Sequence, residues 1–196
     1  MFERKANVAR ETAETRVQVT LALDGAGRAT LATGVGFFEH MLALLVRFAA
    51  FDLEVAAQGD LHVDAHHTVE DVGITLGQAF ARALGTKEGI KRFGHAVVPM
   101  DEALALAAVD VSGRGFFSFT GEFQAARVGD FDTELVPEFF RAFALNAGVT
   151  LHLQVLAGRN THHVCEALFK SCGRALGDAV ARDSRVAGIP STKGTL

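Results

Sequence analysis

Two stretches decide how this chain is read: Asp64-Ala65-His66-His67-Thr68-Val69-Glu70-Asp71 and Asn160-Thr161-His162-His163-Val164-Cys165-Glu166-Ala167. Each places a histidine doublet and a glutamate, in the spacing His-His-x-x-Glu, at the start of a segment with helical periodicity. Four of the eight histidines fall in these two doublets. Such a recurrence marks a chain built from two similar halves, and the surrounding sequence agrees.

Upstream of the first pentad, Arg16–Leu23 alternates Val17, Val19, Leu21 and Leu23 against polar residues, the pattern of a strand with one buried face. A turn at Asp24-Gly25 leads to a second strand, Arg28–Thr33, then an apolar helix, Phe37–Ala50, a strand, Asp52–Ala57, and a helix, His67–Leu84. Upstream of the second pentad the order repeats. Strands Ala103–Ser112 and Phe116–Phe123 flank the turn Ser112-Gly113-Arg114-Gly115, followed by helix Leu135–Asn146, strand Thr150–Leu156 and helix Thr161–Arg182. No Pro- or Ser-rich linker separates the halves. The expectation is therefore an α+β fold: duplicated β-β-α-β-α halves, about 1–93 and 94–196, packed as one sandwich-like domain.

Composition narrows the function classes. The formal charge is −4 and apolar residues make up 49% of the 196, enough for a large core and without the basic excess that nucleic acid or an anionic membrane recruits. The longest apolar runs, such as Leu104–Val109, are too short to span a bilayer. Cys165 and Cys172 stand roughly 10 Å apart along one helix and cannot bridge each other there. A reduced, cytoplasmic protein is expected.

On a helix, residues four apart share a face, so His66 projects beside Glu70 and His162 beside Glu166. An imidazole and a carboxylate one turn apart form a bidentate platform for a divalent metal. His67 and His163 point about 100° away and are free to reach a second ion. Two helices related by the repeat, or by a neighbouring subunit, can exchange these odd histidines: His66, Glu70 and His163 on one ion, His162, Glu166 and His67 on the other. His40 and Glu138, 26 and 24 residues upstream of the pentads, supply a further ligand each. With nitrogen and oxygen donors and no thiolate, the set suits Mn, Fe, Co or Zn. His62, His95 and His152 lack such company and read as structural or solvated.

These pentads, together with Phe37-Phe38-Glu39-His40-Met41-Leu42 and Ser191-Thr192-Lys193-Gly194, resemble imidazoleglycerol-phosphate dehydratase of histidine biosynthesis, from Arg10 to the end of the chain. The resemblance implies a cage of twenty-four subunits with two Mn²⁺ in each intersubunit active site. His40, His67, His162 and Glu166 would hold one ion, and His66, Glu70, His163 and Glu138 the other. His40 is also expected to touch substrate.

The implied reaction converts D-erythro-imidazoleglycerol phosphate to imidazole-acetol phosphate and water. Its difficulty is that the proton lost has no adjacent carbonyl to acidify it. A ring held as imidazolate can expel the hydroxyl of the attached carbon, after which the neighbouring carbon loses its proton. The resemblance assigns Glu14 as substrate-binding catalytic base, and Arg92, Arg114, Ser191, Thr192 and Lys193 as the phosphate group. The tail is expected to order only on closing over ligand or docking on a neighbour. Asp101 and Glu102 read as structural. Two rivals use the same ligands without this chemistry: a metal-storing or structural cage, and a dinuclear hydrolase.

Overall fold

The computed structural model describes residues 3–196. Strands β1 (Lys5–Glu11), β2 (Thr15–Ala22) and β3 (Ala29–Ala32), helix α1 (Gly36–Ala49), strand β4 (Asp52–Gly59) and helix α2 (His66–Leu84) form the first half. The second half holds β5 (Phe93–Met100), β6 (Ala103–Asp110), β7 (Phe116–Thr120), a short β8–β9 hairpin (Arg127–Val128, Phe131–Asp132), α3 (Leu135–Ala147), β10 (Thr150–Ala157) and α4 (Thr161–Val180). The two sheets have the same order, β1-β2-β4-β3 and β5-β6-β10-β7. In each, only the last pair is parallel.

The duplicated α+β architecture matches the expectation, with one strand more at the front of each half. Both extra strands lack the alternation that betrays β2. In β1 only Val8 is buried, because this edge strand meets the core at one point. In β5 the buried position is Gly94, where a Cβ would come within 2.0 Å of the Ala175 carbonyl oxygen. Close approach of α4 demands a small residue there, so the apolar signal is absent. Pro99 sits in this edge strand, where its missing N–H is tolerated. Strand β7 stops at Thr120, before Gly121 at φ 154°, and α4 stops at Val180.

The helices lie between the sheets. α2 packs on β1 and β2, α4 on β5 and β6, and across the middle α2 meets α3 while α1 meets α4. Phe38, Phe139, Phe140 and Phe169 fill the central layer, with Phe140 and Phe169 ring centroids 4.6 Å apart. Sixteen phenylalanines with no Tyr or Trp suit this layer, since a buried hydroxyl or indole N–H would need a partner. Backbones come close at two equivalent glycines. A Cβ on Gly77 would lie 2.6 Å from the Phe143 carbonyl oxygen, and one on Gly173 2.3 Å from that of Leu45. The middle crossing carries the helix starts of one half to the first helix of the other. Both cysteines are free and buried in α4.

Candidate metal centre

The start of each long helix is pinned by a side-chain oxygen two residues ahead of the doublet's first histidine. Asp64 Oδ1 accepts from the His66 N–H at 2.7 Å, and Asn160 Oδ1 from the His162 N–H at 3.0 Å. These turns satisfy N–H groups that the helix leaves unpaired and fix where the pentads project.

Two clusters result, each spanning both halves. His40 of α1 joins His162 and Glu166 of α4; Glu138 of α3 joins His66 and Glu70 of α2. Within each cluster one ligand atom per residue lies within 4.8 Å of the others. The Nε2 atoms of His40 and His162 both converge on Glu166 Oε1, at 2.9 and 3.1 Å. Burial raises the Glu166 carboxyl, but hydrogen bonds from Lys170, His40 and His162 outweigh it and bring the pKa down to about 2. In the other cluster Arg141 hydrogen-bonds Glu138 and reaches Glu70 Oε1 at 3.1 Å. Its guanidinium holds the Glu138 carboxyl below the usual range.

The donors fit a divalent cation, imidazole nitrogens and carboxylate oxygens within reach of one point, while Lys170 and Arg141 pair with the same carboxylates and compete with an ion for them. Neither cation stood out in the sequence, although each is spaced one turn from its carboxylate, Glu166 to Lys170 and Glu138 to Arg141.

His67 and His163 stand outside both clusters. Each has its Nδ1 against a carboxylate: His67 to Asp60 Oδ2 at 3.0 Å, His163 to Glu102 Oε2 at 2.8 Å. These bonds raise both imidazole pKa values and leave Nε2 as the nitrogen that can bind a metal, the arrangement by which outer carboxylates prepare a histidine ligand. Glu14, in the β1–β2 turn, has Oε2 at 3.8 Å from His67 Nδ1. Glu102 holds the α4 start as well as His163, accepting from the Arg159 and Asn160 N–H groups. Asp60 was not singled out from sequence, because only the fold carries the end of β4 to His67.

The anion-binding candidates gather elsewhere, on the second half. Arg92 bonds both oxygens of Asp110 at 2.7 and 3.1 Å and donates Nη1 to the Pro190 carbonyl at 2.9 Å. That ties down the segment just before Ser191, Thr192 and Lys193. The tail then turns back so that Leu196 approaches Gly113, next to exposed Arg114. The tail packs on its own chain, where Arg92 supplies a donor for the Pro190 carbonyl.

A duplicated α+β sandwich with paired histidine–carboxylate clusters defines the class, and comparison with known proteins gives the family. The sequence model of imidazoleglycerol-phosphate dehydratase matches residues 33–176. Proteins of that name from Desulforamulus reducens and Symbiobacterium thermophilum are 59% and 62% identical over 196 residues, covering all of this chain and 100% and 94% of theirs. The crystal structure of imidazoleglycerol-phosphate dehydratase from Staphylococcus aureus is similar at a TM-score of 0.83 and 40% identity, over 91% of this chain and 99% of that one. A second, from Pyrococcus furiosus in complex with (S)-C348, has a TM-score of 0.83 and 34% identity, over 96% and 100%. The chain belongs to the imidazoleglycerol-phosphate dehydratase family.

Proposed function

We propose that this chain is a hydro-lyase that converts D-erythro-imidazoleglycerol phosphate to imidazole-acetol phosphate and water in histidine biosynthesis, acting at a dinuclear Mn²⁺ site. The observation that carries the metal reading is the incomplete symmetry of the clusters. Each gathers three donors from the two halves, and each pentad offers one further imidazole, His67 or His163, held at Nδ1 by a carboxylate. Completing the clusters takes His67 to His40, His162 and Glu166, and His163 to His66, Glu70 and Glu138. The donors for one centre then come from more than one copy of the chain, in keeping with a 24-subunit assembly of single-domain subunits whose halves divide near residue 93.

Two divalent ions at these positions would keep the substrate's ring as imidazolate and carry its negative charge. His40 lines the ring's approach. Glu14 takes the proton from the carbon next to the one that loses hydroxide; the electron pair of that C–H bond forms the enol, which tautomerises to the ketone. The departing hydroxide takes up a proton to leave as water, which balances the one Glu14 removes. Arg92, Arg114, Ser191, Thr192 and Lys193 bind the phosphate, Arg through its planar fork, and hold the substrate's far end while the ring is fixed at the other. A biosynthetic role of this kind suits the cytoplasm, and the free cysteines suit that reducing compartment.

The test is metal content and dehydratase activity on one preparation, before chelation, after it, and after Mn²⁺ is returned. About two ions per chain, with turnover lost and restored, supports the reading. Bound metal without turnover of imidazoleglycerol phosphate overturns it in favour of a storage or structural assembly.

A further inference from the structure

The duplication lets the two halves be compared position by position. β2 and β6 are eight-residue strands that start at Thr15 and Ala103, so Glu14 and Glu102, the residues just before them, are equivalent. The pentads make His67 equivalent to His163. Thr15 pairs with Gly59. In the other sheet Leu104 pairs with Ala157 after a one-residue bulge, which sets Ala103 opposite Gly158. Both glycines are packed by the same helix position, Thr68 in one half and Val164 in the other. The residue after each glycine is therefore equivalent too: Asp60 in the first half, Arg159 in the second.

The same glutamate position has opposite fates. Glu102 is bound three ways, to His163 Nδ1 at 2.8 Å and to two backbone N–H groups. Glu14 makes no side-chain hydrogen bond among the described residues and stays 3.8 Å from His67 Nδ1. What differs is the residue after the glycine. Arg159 offers no carboxylate, so the hairpin glutamate holds the histidine. Asp60 offers one, and its Oδ2 already occupies His67 Nδ1 at 3.0 Å. The other oxygen, Oδ1, is buried without a partner among the described residues, so holding His67 is the one hydrogen-bonding task of this side chain.

We propose that Asp60 is a positioning residue that keeps Glu14 free: by taking the His67 Nδ1–H it displaces Glu14 from the structural post that Glu102 fills in the other half. The proposal rests on the reading of Glu14 as the base, and the exchange of partners can be tested apart from it. Removing Asp60 leaves His67 Nδ1 open, and Glu14 needs to close only from 3.8 Å to the 2.8 Å that Glu102 keeps.

The experiment compares Asp60→Ala, Asp60→Asn, Glu14→Ala and the double alanine variant, reading kcat, KM and bound Mn²⁺ together with a crystal structure of Asp60→Ala. Asp60→Ala is expected to lose about tenfold to hundredfold in kcat while keeping its metal, because Glu14 now holds His67. Asp60→Asn, whose amide oxygen still accepts the Nδ1–H, recovers most of that loss. The double variant loses metal as well, since nothing orients His67. A structure of Asp60→Ala with Glu14 still away from His67, or kcat at the wild-type level, overturns the proposal. Glu14→Ala with undiminished turnover overturns the base reading instead, and the structure and metal content still decide whether the two acids exchange.

Discussion

His40 Nε2 and Glu166 Oε1 lie 2.9 Å apart although 126 residues separate them. The contact joins the first helix of one half to the last helix of the other, and it exists because the four helices cross between the sheets. The candidate centre is thus a product of how the halves interlock, and substitutions in it test the interlock and the chemistry together.

Replacing Glu166 with Gln keeps the shape of the side chain and removes its charge. Its oxygen gathers His40 and His162, so the first cluster should bind Mn²⁺ weakly while the second remains. Metal content is expected to fall from about two ions per chain to about one, with nearly all turnover lost. Elemental analysis beside the dehydratase assay reads both.

His67→Ala is expected to have the same double effect if this imidazole completes a cluster from outside, as proposed. Cys172→Ala, in the same assays, should lose neither metal nor turnover. Burial pushes both thiols up, that of Cys165 to about 12, so neither supplies a thiolate near neutrality. A His67→Ala enzyme with normal turnover would remove this residue from the ligand set.

Arg92 ties the tail to the body through Asp110 and the Pro190 carbonyl. Arg92→Ala should therefore raise hydrogen exchange across residues 188–194 in the absence of any ligand, as well as raise KM for the phosphorylated substrate. Unchanged exchange would show that the tail is held by its other contacts.

Stability at low pH should register the pair formed by buried Arg4 and Asp24. Arg4 also donates to the Val180 carbonyl at 2.6 Å, so it links β1 to the end of α4. The hydrogen bond from Arg4 pulls the Asp24 carboxyl below its ordinary value of 3.8, against an opposing effect of burial. A depressed carboxyl contributes stability above its unfolded value and loses it as the pH falls through the folded one. The stability gap between wild type and Asp24→Asn should accordingly be constant above about pH 4 and narrow below it. Urea titrations at several pH values measure this.

The helix crossings can be probed at glycine. Gly77→Ala forces a Cβ to within 2.6 Å of the Phe143 carbonyl oxygen and should cost about 1–3 kcal/mol. Gly36→Ala, at a position with nothing within 4 Å, should be neutral or slightly stabilising, since alanine is the better helix former. Thermal or denaturant unfolding distinguishes the two.

The amino-acid sequence by itself carried the duplication and named the six residues that the fold gathers into two clusters. Those properties are local: a helix turn places His66 beside Glu70, and an alternating strand such as β2 declares its buried face whatever packs on it. Strands β1 and β5 escaped because their burial is set by neighbours, one buried valine in the first and a glycine under α4 in the second. Only the tertiary structure decided that Asp60 holds His67, that Glu102 is bound where Glu14 is free, and that Arg92 fastens the tail. In each case a hydrogen bond joins groups that the chain brings together only by folding, and a residue's partner at 3 Å depends on the register of strands and the crossing of helices. Equivalent glutamates at equivalent turns read alike as sequence; what separates them is a carboxylate in one half and an arginine in the other, just after paired glycines.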